Sequence, residues 1–386
     1  MKKGKEQLIE GVLERGVEEV IVAAHLKKQL HGKKKLRVKL GIDPTGADLH
    51  LGHSIPLRKL QAFADLGHTP VLIIGDWTAR IGDPSGKDAT RPRLSKEEVK
   101  KNASSWLEQV KKVLDLSKTE VHYQSEWFDD FDLEKAIHLT AQMTLGQVMA
   151  HETFRKRMQK GASGLGLHEL LYPLLQGYDS VAVRADVELG ASEQKFNVLA
   201  GREMQKAYKQ EPQDVMLVSY LTGLDGKEKM SKSLGNYIAL NDSATDVYGK
   251  VMSIPDALMK QYSELLTNLD WNELRRMGPR NAKGCLALAV TDWLHGDNAA
   301  TEAAEKFTQI FSKREAPEDV PAKKIIAGIT IVDALIVTGL ATSKSEGRRL
   351  IEQRGVKVNG LVVRADVKPK SGDLIQVGKR KFVRIR

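Results

Sequence analysis

The sequence predicts an α/β fold: a Rossmann-like parallel-sheet domain, then an α-helical domain, then a small basic α+β domain. Three observations lead there. Strand and helix patterns alternate at βαβ spacing from Leu36 onward, the texture turns helical after residue 242, and net charge is concentrated at the C-terminal end. A length of 386 residues suggests two or three domains, and 41% hydrophobic residues suffice for a sizeable core.

Taken in order, residues 6–29 show helical spacing, with Leu8, Val12, Val17, Val20 and Ile21 on one apolar face. Leu36, Val38, Leu40 and Ile42 then alternate with Arg37, Lys39 and Gly41, the period of a strand. After Asp43-Pro44-Thr45-Gly46 comes His50-Leu51-Gly52-His53, followed by Ser54-Ile55-Pro56. There a Ser or His can cap a helix and a Pro can sit in its first turn, with Gly67 as the stop. A helix N-terminus attracts anions, and two imidazoles placed on it can donate to phosphate oxygens. A histidine pair at a helix end for local reasons is the other reading.

Pro70 to Asp76 is a continuous apolar run, the mark of a parallel strand, and ligands of such sheets sit beyond the strands' carboxyl ends. The loop from Trp77 to Lys87 starts there, and its Asp83 can hold an ammonium group or serve a local turn. Ser95 and Glu98 form a capping box. Residues 134–158 are helical and rich in methionine, which suits core or subunit-contact filler. Gly161 to Gly166 looks like a dinucleotide fingerprint but follows no strand, so that reading is rejected.

Tyr172, Gln176 and Asp179 fall at i, i+4 and i+7, one face of a helix, where a phenol, an amide and a carboxylate suit a small polar ligand. Residues 181–189 read as a strand leading to Gly190-Ala191-Ser192-Glu193-Gln194. Val215 to Leu221 reads as another, followed by Lys229-Met230-Ser231-Lys232-Ser233 between Gly226 and Gly235. Two lysines three apart on such a loop can fold onto a polyphosphate; a solvated basic loop is the commoner fate of a charge run.

Ser243 with Asp246, Pro255-Asp256 and Asp270 open further helices, and residues 281–294 form another. Residues 313–324 are a linker by composition. Beyond it, Ser343 to Glu346 is a capping box opening a helix with Arg348, Arg349 and Arg354 exposed, and Asn359-Gly360 centres a hairpin. From Pro321 to Arg386 there are 15 Lys and Arg against 5 Asp and Glu, the whole of the formal +10, while the preceding residues balance at 45 each. A charge excess confined to one end points to an RNA-binding or other polyanion-binding appendage. The one cysteine, Cys285, excludes an internal disulfide or a cysteine-based zinc site and suits a reducing, cytoplasmic setting. No apolar run is long enough for a membrane span.

The stretches from Pro44 to His53 and from Lys229 to Ser233, in this order, resemble the two signatures of class I aminoacyl-tRNA synthetases. With Tyr172, Gln176 and Asp179, the resemblance narrows to the bacterial tyrosyl-tRNA synthetases, in a subfamily with Lys39 in the first strand. It implies a catalytic domain over 1–225, with a helical dimerisation region inserted at about 120–180. A mobile lysine loop over 226–242, a helical anticodon-recognition domain over 243–312 and the linker follow. The last part, 325–386, resembles the RNA-binding domain shared by a small-subunit ribosomal protein and pseudouridine synthases. Gly347 stands where that pattern has Ala, at about 1 kcal/mol of helix stability.

The resemblance assigns catalysis to His50, His53, Lys229 and Lys232. It places ATP among Gly41, Asp43, Thr45, Gly52, Gly190, Glu193, Met230, Ser231 and Ser233, with Glu193 on the ribose. Tyrosine falls to Thr78, Asp83, Tyr172, Gln176, Asp179 and Gln194, the hydroxyl going to Asp179, and tRNA to Lys344, Arg348, Arg349 and Arg354. Ala191 and Glu193 stand where the family has Gly and Asp; Ala would bear a positive φ poorly. The expected substrates are L-tyrosine, ATP with Mg²⁺ and tRNA(Tyr), with no tightly bound cofactor, no protein metal cage and a homodimeric assembly. A tryptophanyl enzyme, a paralogue with another substrate and an RNA-binding factor without catalysis are the rival readings.

Overall fold

The computed structural model describes residues 4–85, 94–159, 165–311, 320–326, 328–363, 367–378 and 381–386. It divides into two compact units, 1–297 and 298–386.

The first unit opens with α1 (Lys5–Glu14), β1 (Val17–Ile21) and α2 (Ala23–His31). The helix expected over 6–29 is therefore two helices and a strand. Gly16 at φ 66 turns the chain, and β-branched Val17, Val20 and Ile21 join the sheet as its antiparallel edge. β2 (Arg37–Ile42), α3 (Leu51–Asp65), β3 (Thr69–Ile74), the short α4 (Thr78–Ile81), α5 (Lys96–Val110) and β4 (Glu120–Tyr123) follow. Pro56 falls in the second turn of α3 rather than the first.

Five short helices come next: α6 (Ser125–Phe128), α7 (Leu133–Thr140), α8 (Leu145–Val148), α9 (Glu152–Gln159) and α10 (Leu167–Leu170). The rejected glycine-rich stretch lies largely outside the described residues. The chain returns to the sheet through α11 (Tyr172–Ala182), β5 (Val187–Ala191), α12 (Lys195–Ala207) and β6 (Asp214–Val218). The strand expected from Val181 starts only at Val187, because α11 continues to Ala182. Arg184 at φ 49 ends it, with the Ala185 N–H on Ser180 O at 3.0 Å.

The strand order is β1-β6-β5-β2-β3-β4, parallel except for β1. β2 lies between β3 and β5, so the strand order reverses beside it and its carboxyl end opens on the crevice where such sheets hold ligands. α3 leaves from that end, and Lys39 of β2 lies opposite Glu188 of β5. Helices α13 (Ala244–Met252), α14 (Met259–Leu266), α15 (Trp271–Leu274) and α16 (Pro279–His295) follow the lysine-rich segment, and α17 (Asp297–Phe311) starts at the boundary of the units.

The second unit adds β7 (Ala322–Lys323), α18 (Ile331–Val337), α19 (Lys344–Glu352), β8 (Val356–Val358), β9 (Leu361–Val362), β10 (Leu374–Val377) and β11 (Lys381–Ile385). Its sheet order is β7-β11-β10-β8-β9 around a core that includes Ile331, Leu335, Val356 and Ile375. Pro317 to Asp319 of the expected linker lie outside the described residues, whereas Ala322 and Lys323 pair with β11 and belong to the sheet. Asn359 at φ 49 and Gly360 at φ 81 make the anticipated tight hairpin. Ser343 caps α19, but the Glu346 carboxylate reaches back to the Thr342 N–H at 2.7 Å, one residue earlier than a capping box requires. Gly347 is buried, and a Cβ on it would lie 3.3 Å from Val332, so close packing of α18 on α19 opposes the helix-propensity gain of Ala. No helix among the described residues is long and apolar enough to cross a membrane.

Candidate active site

The mouth of the site is the turn from β2 into α3. His50 is the N-cap of α3 and its Nδ1 accepts the Gly52 N–H at 3.2 Å; the His50 N–H in turn donates to Nδ1 of His53 at 3.2 Å. Both Nδ1 atoms are thus acceptors, which puts the proton of each neutral ring on Nε2. The rings lie 3.9 Å apart between centroids. Burial, the neighbouring His53 and the charges of Lys232 and Lys229 push His50 from 6.5 down to about 2. Burial and the same lysines push His53 to about 3. At neutral pH the pair therefore consists of two uncharged N–H donors at a helix N-terminus.

The distant lysine stretch is brought to this mouth by main-chain pairing. Leu51 N–H donates to Ile238 O at 3.0 Å and Leu240 N–H to Leu49 O at 2.9 Å, an antiparallel bridge that ties the loop's exit to the start of α3. At its other end Met230, which is buried, donates its N–H to Leu221 O at 2.8 Å. Between them Ser231 N–H donates to Asn236 Oδ1 at 2.8 Å, and the Ser231 and Ser233 hydroxyls lie 2.9 Å apart. Lys232 Nζ donates to Asp48 O at 2.7 Å, and burial lowers its pKa. A Cβ on Gly46 would lie 2.9 Å from that ammonium, so any side chain there would push it aside. Lys229 forms an ion pair with Glu193 across the cleft. The four residues expected to act on phosphate therefore surround one opening.

Beyond the carboxyl end of β2 the side chains form a polar cluster. Asp43 accepts the Tyr172 hydroxyl at 2.9 Å and the Thr78 hydroxyl at 2.7 Å, and a Cβ on Gly75 would collide with both Asp43 and Thr78. Asp179 is 1% exposed; its carboxylate accepts from Gln124 Nε2 at 2.8 Å and Trp127 Nε1 at 3.2 Å. Burial raises its pKa from 3.8 to about 7 against the lowering pull of Lys39. Lys39, fully buried, binds Glu188 at 2.9 Å, Ser180 Oγ at 2.8 Å and Gln176 O at 3.0 Å. Gln176 Nε2 donates to Glu188 at 3.4 Å, and Gln194 Nε2 to Asp83 at 2.8 Å.

The tyrosine-pocket candidates thus bond to several partners: Tyr172 and Thr78 to Asp43, which was expected at ATP, Gln176 to Glu188, and Gln194 to Asp83. Gly41 and Thr45 are exposed beside the opening of β2, and Gly190 is buried against Val198. Ala191 has φ −77, extended backbone that any residue adopts, so the expected strain at that position does not arise. Lys344, Arg348, Arg349 and Arg354 are all exposed on or after α19 in the second unit, with Lys344 2.9 Å from Asp333. Sequence reasoning missed Gln124, Trp127, Trp106 and Glu188. Only Glu188 left a trace, as an acid in an apolar strand, and its pairing with Lys39 shows only in the register of the sheet. Among the described residues no group of three or more His, Cys, Asp or Glu is placed to hold a metal.

Residues 31–312 match the family described as tRNA synthetases class I (W and Y), and 332–375 match the S4 domain. The chain is 46% identical to the tyrosine–tRNA ligase of Dehalococcoides mccartyi strain CBDB1, covering 98% of both chains. It is also 46% identical to the tyrosine–tRNA ligase of Thermotoga maritima, over 97% of this chain and 96% of that one. The fold is similar to that of a C-terminally truncated mitochondrial tyrosyl-tRNA synthetase of Aspergillus nidulans, with a TM-score of 0.67 at 22% identity, over 79% of this chain and 94% of that one. It is similar also to a tyrosyl-tRNA synthetase of Archaeoglobus fulgidus complexed with L-tyrosine, with a TM-score of 0.62 at 20% identity, over 78% and 99%.

Proposed function

Because the chain belongs to the class I tRNA synthetases, and among them to the tyrosine–tRNA ligases, we propose that it joins L-tyrosine to tRNA(Tyr) in two steps at this cleft. A tyrosine carboxylate oxygen attacks the α-phosphorus of ATP, the bond to the β-phosphate oxygen breaks, and pyrophosphate leaves with Mg²⁺, which ATP's own phosphates carry. A ribose hydroxyl at the 3′ end of tRNA then attacks the tyrosyl carbonyl, giving tyrosyl-tRNA and AMP. No protein nucleophile is required. His50 and His53 donate to phosphate oxygens as charge builds on them, and Lys229 and Lys232 neutralise the departing pyrophosphate. Glu193 takes the ATP ribose in exchange for Lys229.

The observation that carries this reading is the convergence of two neutral imidazoles and two ammonium groups in front of a buried acceptor, Asp179. That carboxylate has two donors already and waits for a third, the substrate hydroxyl. Exchange of pyrophosphate into ATP, run with tyrosine, phenylalanine and tryptophan, is the test. Tyrosine alone should support it; tryptophan-specific exchange would move the chain to the sibling enzymes, and no exchange would leave an RNA-binding protein. Assayed above pH 7, where Asp179 is ionised, Asp179→Asn should lower kcat/KM for tyrosine by about 10- to 100-fold, the value of a hydrogen bond to a charged group, with phenylalanine little changed. The full tyrosine-over-phenylalanine ratio is the type case of such discrimination for this enzyme class, and its size does not come from the present geometry.

The second unit supplies RNA affinity. Arg348→Ala with Arg349→Ala should weaken charging of tRNA and flatten its salt dependence, by about one in slope for each phosphate that is no longer neutralised, without changing pyrophosphate exchange. Leu133, Leu145 and Leu167, 77%, 67% and 84% exposed on α7, α8 and α10, support a second copy of the chain as the cover for these side chains. Sedimentation of the intact protein reports that assembly.

A further inference from the structure

One face of α5 holds the whole phosphate-side loop by its main chain. Asn102, Ser105, Trp106 and Gln109 stand at i, i+3, i+4 and i+7. Asn102 Nδ2 donates to Pro44 O at 3.0 Å, Ser105 Oγ to Ala47 O at 3.0 Å and Gln109 Nε2 to Ala47 O at 2.9 Å, while Gln109 Oε1 accepts the Leu49 N–H at 2.7 Å. Trp106 donates its indole N–H to Gly46 O. It is 3% exposed, and its ring faces both halves of the phosphate machinery: His53 at 5.8 Å between centroids and the Lys232 ammonium at 5.9 Å.

An indole is the best of the aromatic faces for a cation, and its attraction grows when both partners are withdrawn from water. Lys232 otherwise has a single main-chain acceptor, Asp48 O, among the described residues. The ammonium is thus held over the ring at the spot where Gly46 leaves room. We infer that Trp106 is a positioning residue of the activation step, a seat that fixes the Lys232 ammonium over the phosphate opening. The inference rests on the reading of Lys232 as a phosphate-binding group. No residue of the tyrosine pocket is bonded to Trp106, so its loss should act on the chemical step and spare tyrosine binding.

The test is a double-mutant cycle on the full-length protein, measuring tyrosine activation with active-site titration to count folded sites. Trp106→Leu should lower kcat per active site about 10- to 30-fold, which is the upper range of a desolvated cation–ring contact expressed as a rate. KM for tyrosine should stay within about twofold, because Asp179 and its donors are untouched. In a Lys232→Met background the same change should cost less than about threefold, and Trp106→Phe, which keeps a ring, should recover most of the parent kcat. If Trp106→Leu costs as much with Met at 232 as with Lys, or if Trp106→Phe is as slow as Trp106→Leu, the ring does not act through Lys232 and the inference fails. Should Trp106→Leu not fold, Trp106→Met, which keeps the bulk, completes the same cycle. A parent protein that does not activate tyrosine at all would instead overturn the functional reading beneath it.

Discussion

His53→Ala is expected to lower kcat for tyrosine activation by about 100- to 1,000-fold, the loss seen when one preorganised donor to a developing oxyanion is removed. KM for tyrosine should change little, since no residue of the Asp179 pocket bonds to His53. The donor is the Nε2–H of a neutral ring, because Nδ1 already accepts the His50 N–H. With His53 at about 3 and His50 at about 2, neither ring titrates near neutrality, so replacing His53 should remove no inflection of the kcat profile between about pH 5.5 and 8, and one near 7 belongs to Asp179. A variant with unaltered kcat would remove the imidazole from the reaction.

The same values set the sign of the pH dependence of stability. Between about 3 and 6.5 the unfolded chain binds protons on these histidines that the folded chain does not. Their contribution is fully present above 6.5 and is lost as pH falls through that window. Asp179 has the opposite sign: raised from 3.8 to about 7, it holds a proton in the folded state that the unfolded chain releases, so stability drains as pH rises through that range. Urea unfolding at pH 4 and 7 separates them. Asp179→Asn should gain more stability between those two values than the parent; an equal gain would mean that the carboxyl is not held protonated.

The second large effect is expected at the buried pair under the pocket. Lys39→Met should cost about 3–5 kcal/mol, because Glu188, 1% exposed, would be left buried with no cation beside it. Lys39→Met combined with Glu188→Met should recover most of that loss, since two apolar side chains leave no buried charge behind. Denaturant midpoints at constant slope are the measurement. Ser180 Oγ donates to Glu188 at 3.1 Å, and the Gln213 side-chain amide donates to it as Gln176 does; a single variant as stable as the parent would show that these three satisfy Glu188 without the lysine.

Much of this site is legible in the amino-acid order, for a physical reason. His50 and His53 are fixed by a local turn from strand to helix, and Tyr172, Gln176 and Asp179 by one helical period, so short-range spacing alone puts each group together. Groups that owe their positions to tertiary pairing stay hidden. Gln124 and Trp127 reach Asp179 from more than fifty positions away, and nothing in their own neighbourhood marks them. Glu188 needs the register of β5 on β2. Trp106 looks like one apolar residue of an amphipathic helix, which it also is. Residues 6–29 suggest a single helix because their apolar spacing survives the break at Gly16, where a left-handed residue and not hydrophobicity decides.

The lysine segment is pinned at both feet, to Leu221 on one side and to Leu49 and Leu51 on the other, and is cross-braced within by Asn236, which grips Ser231 N–H and Lys229 O. Such a segment is a ready-folded paddle rather than a floppy string. For the phosphate binding proposed for Lys229 and Lys232, this means that little chain disorder has to be frozen out at the moment of capture.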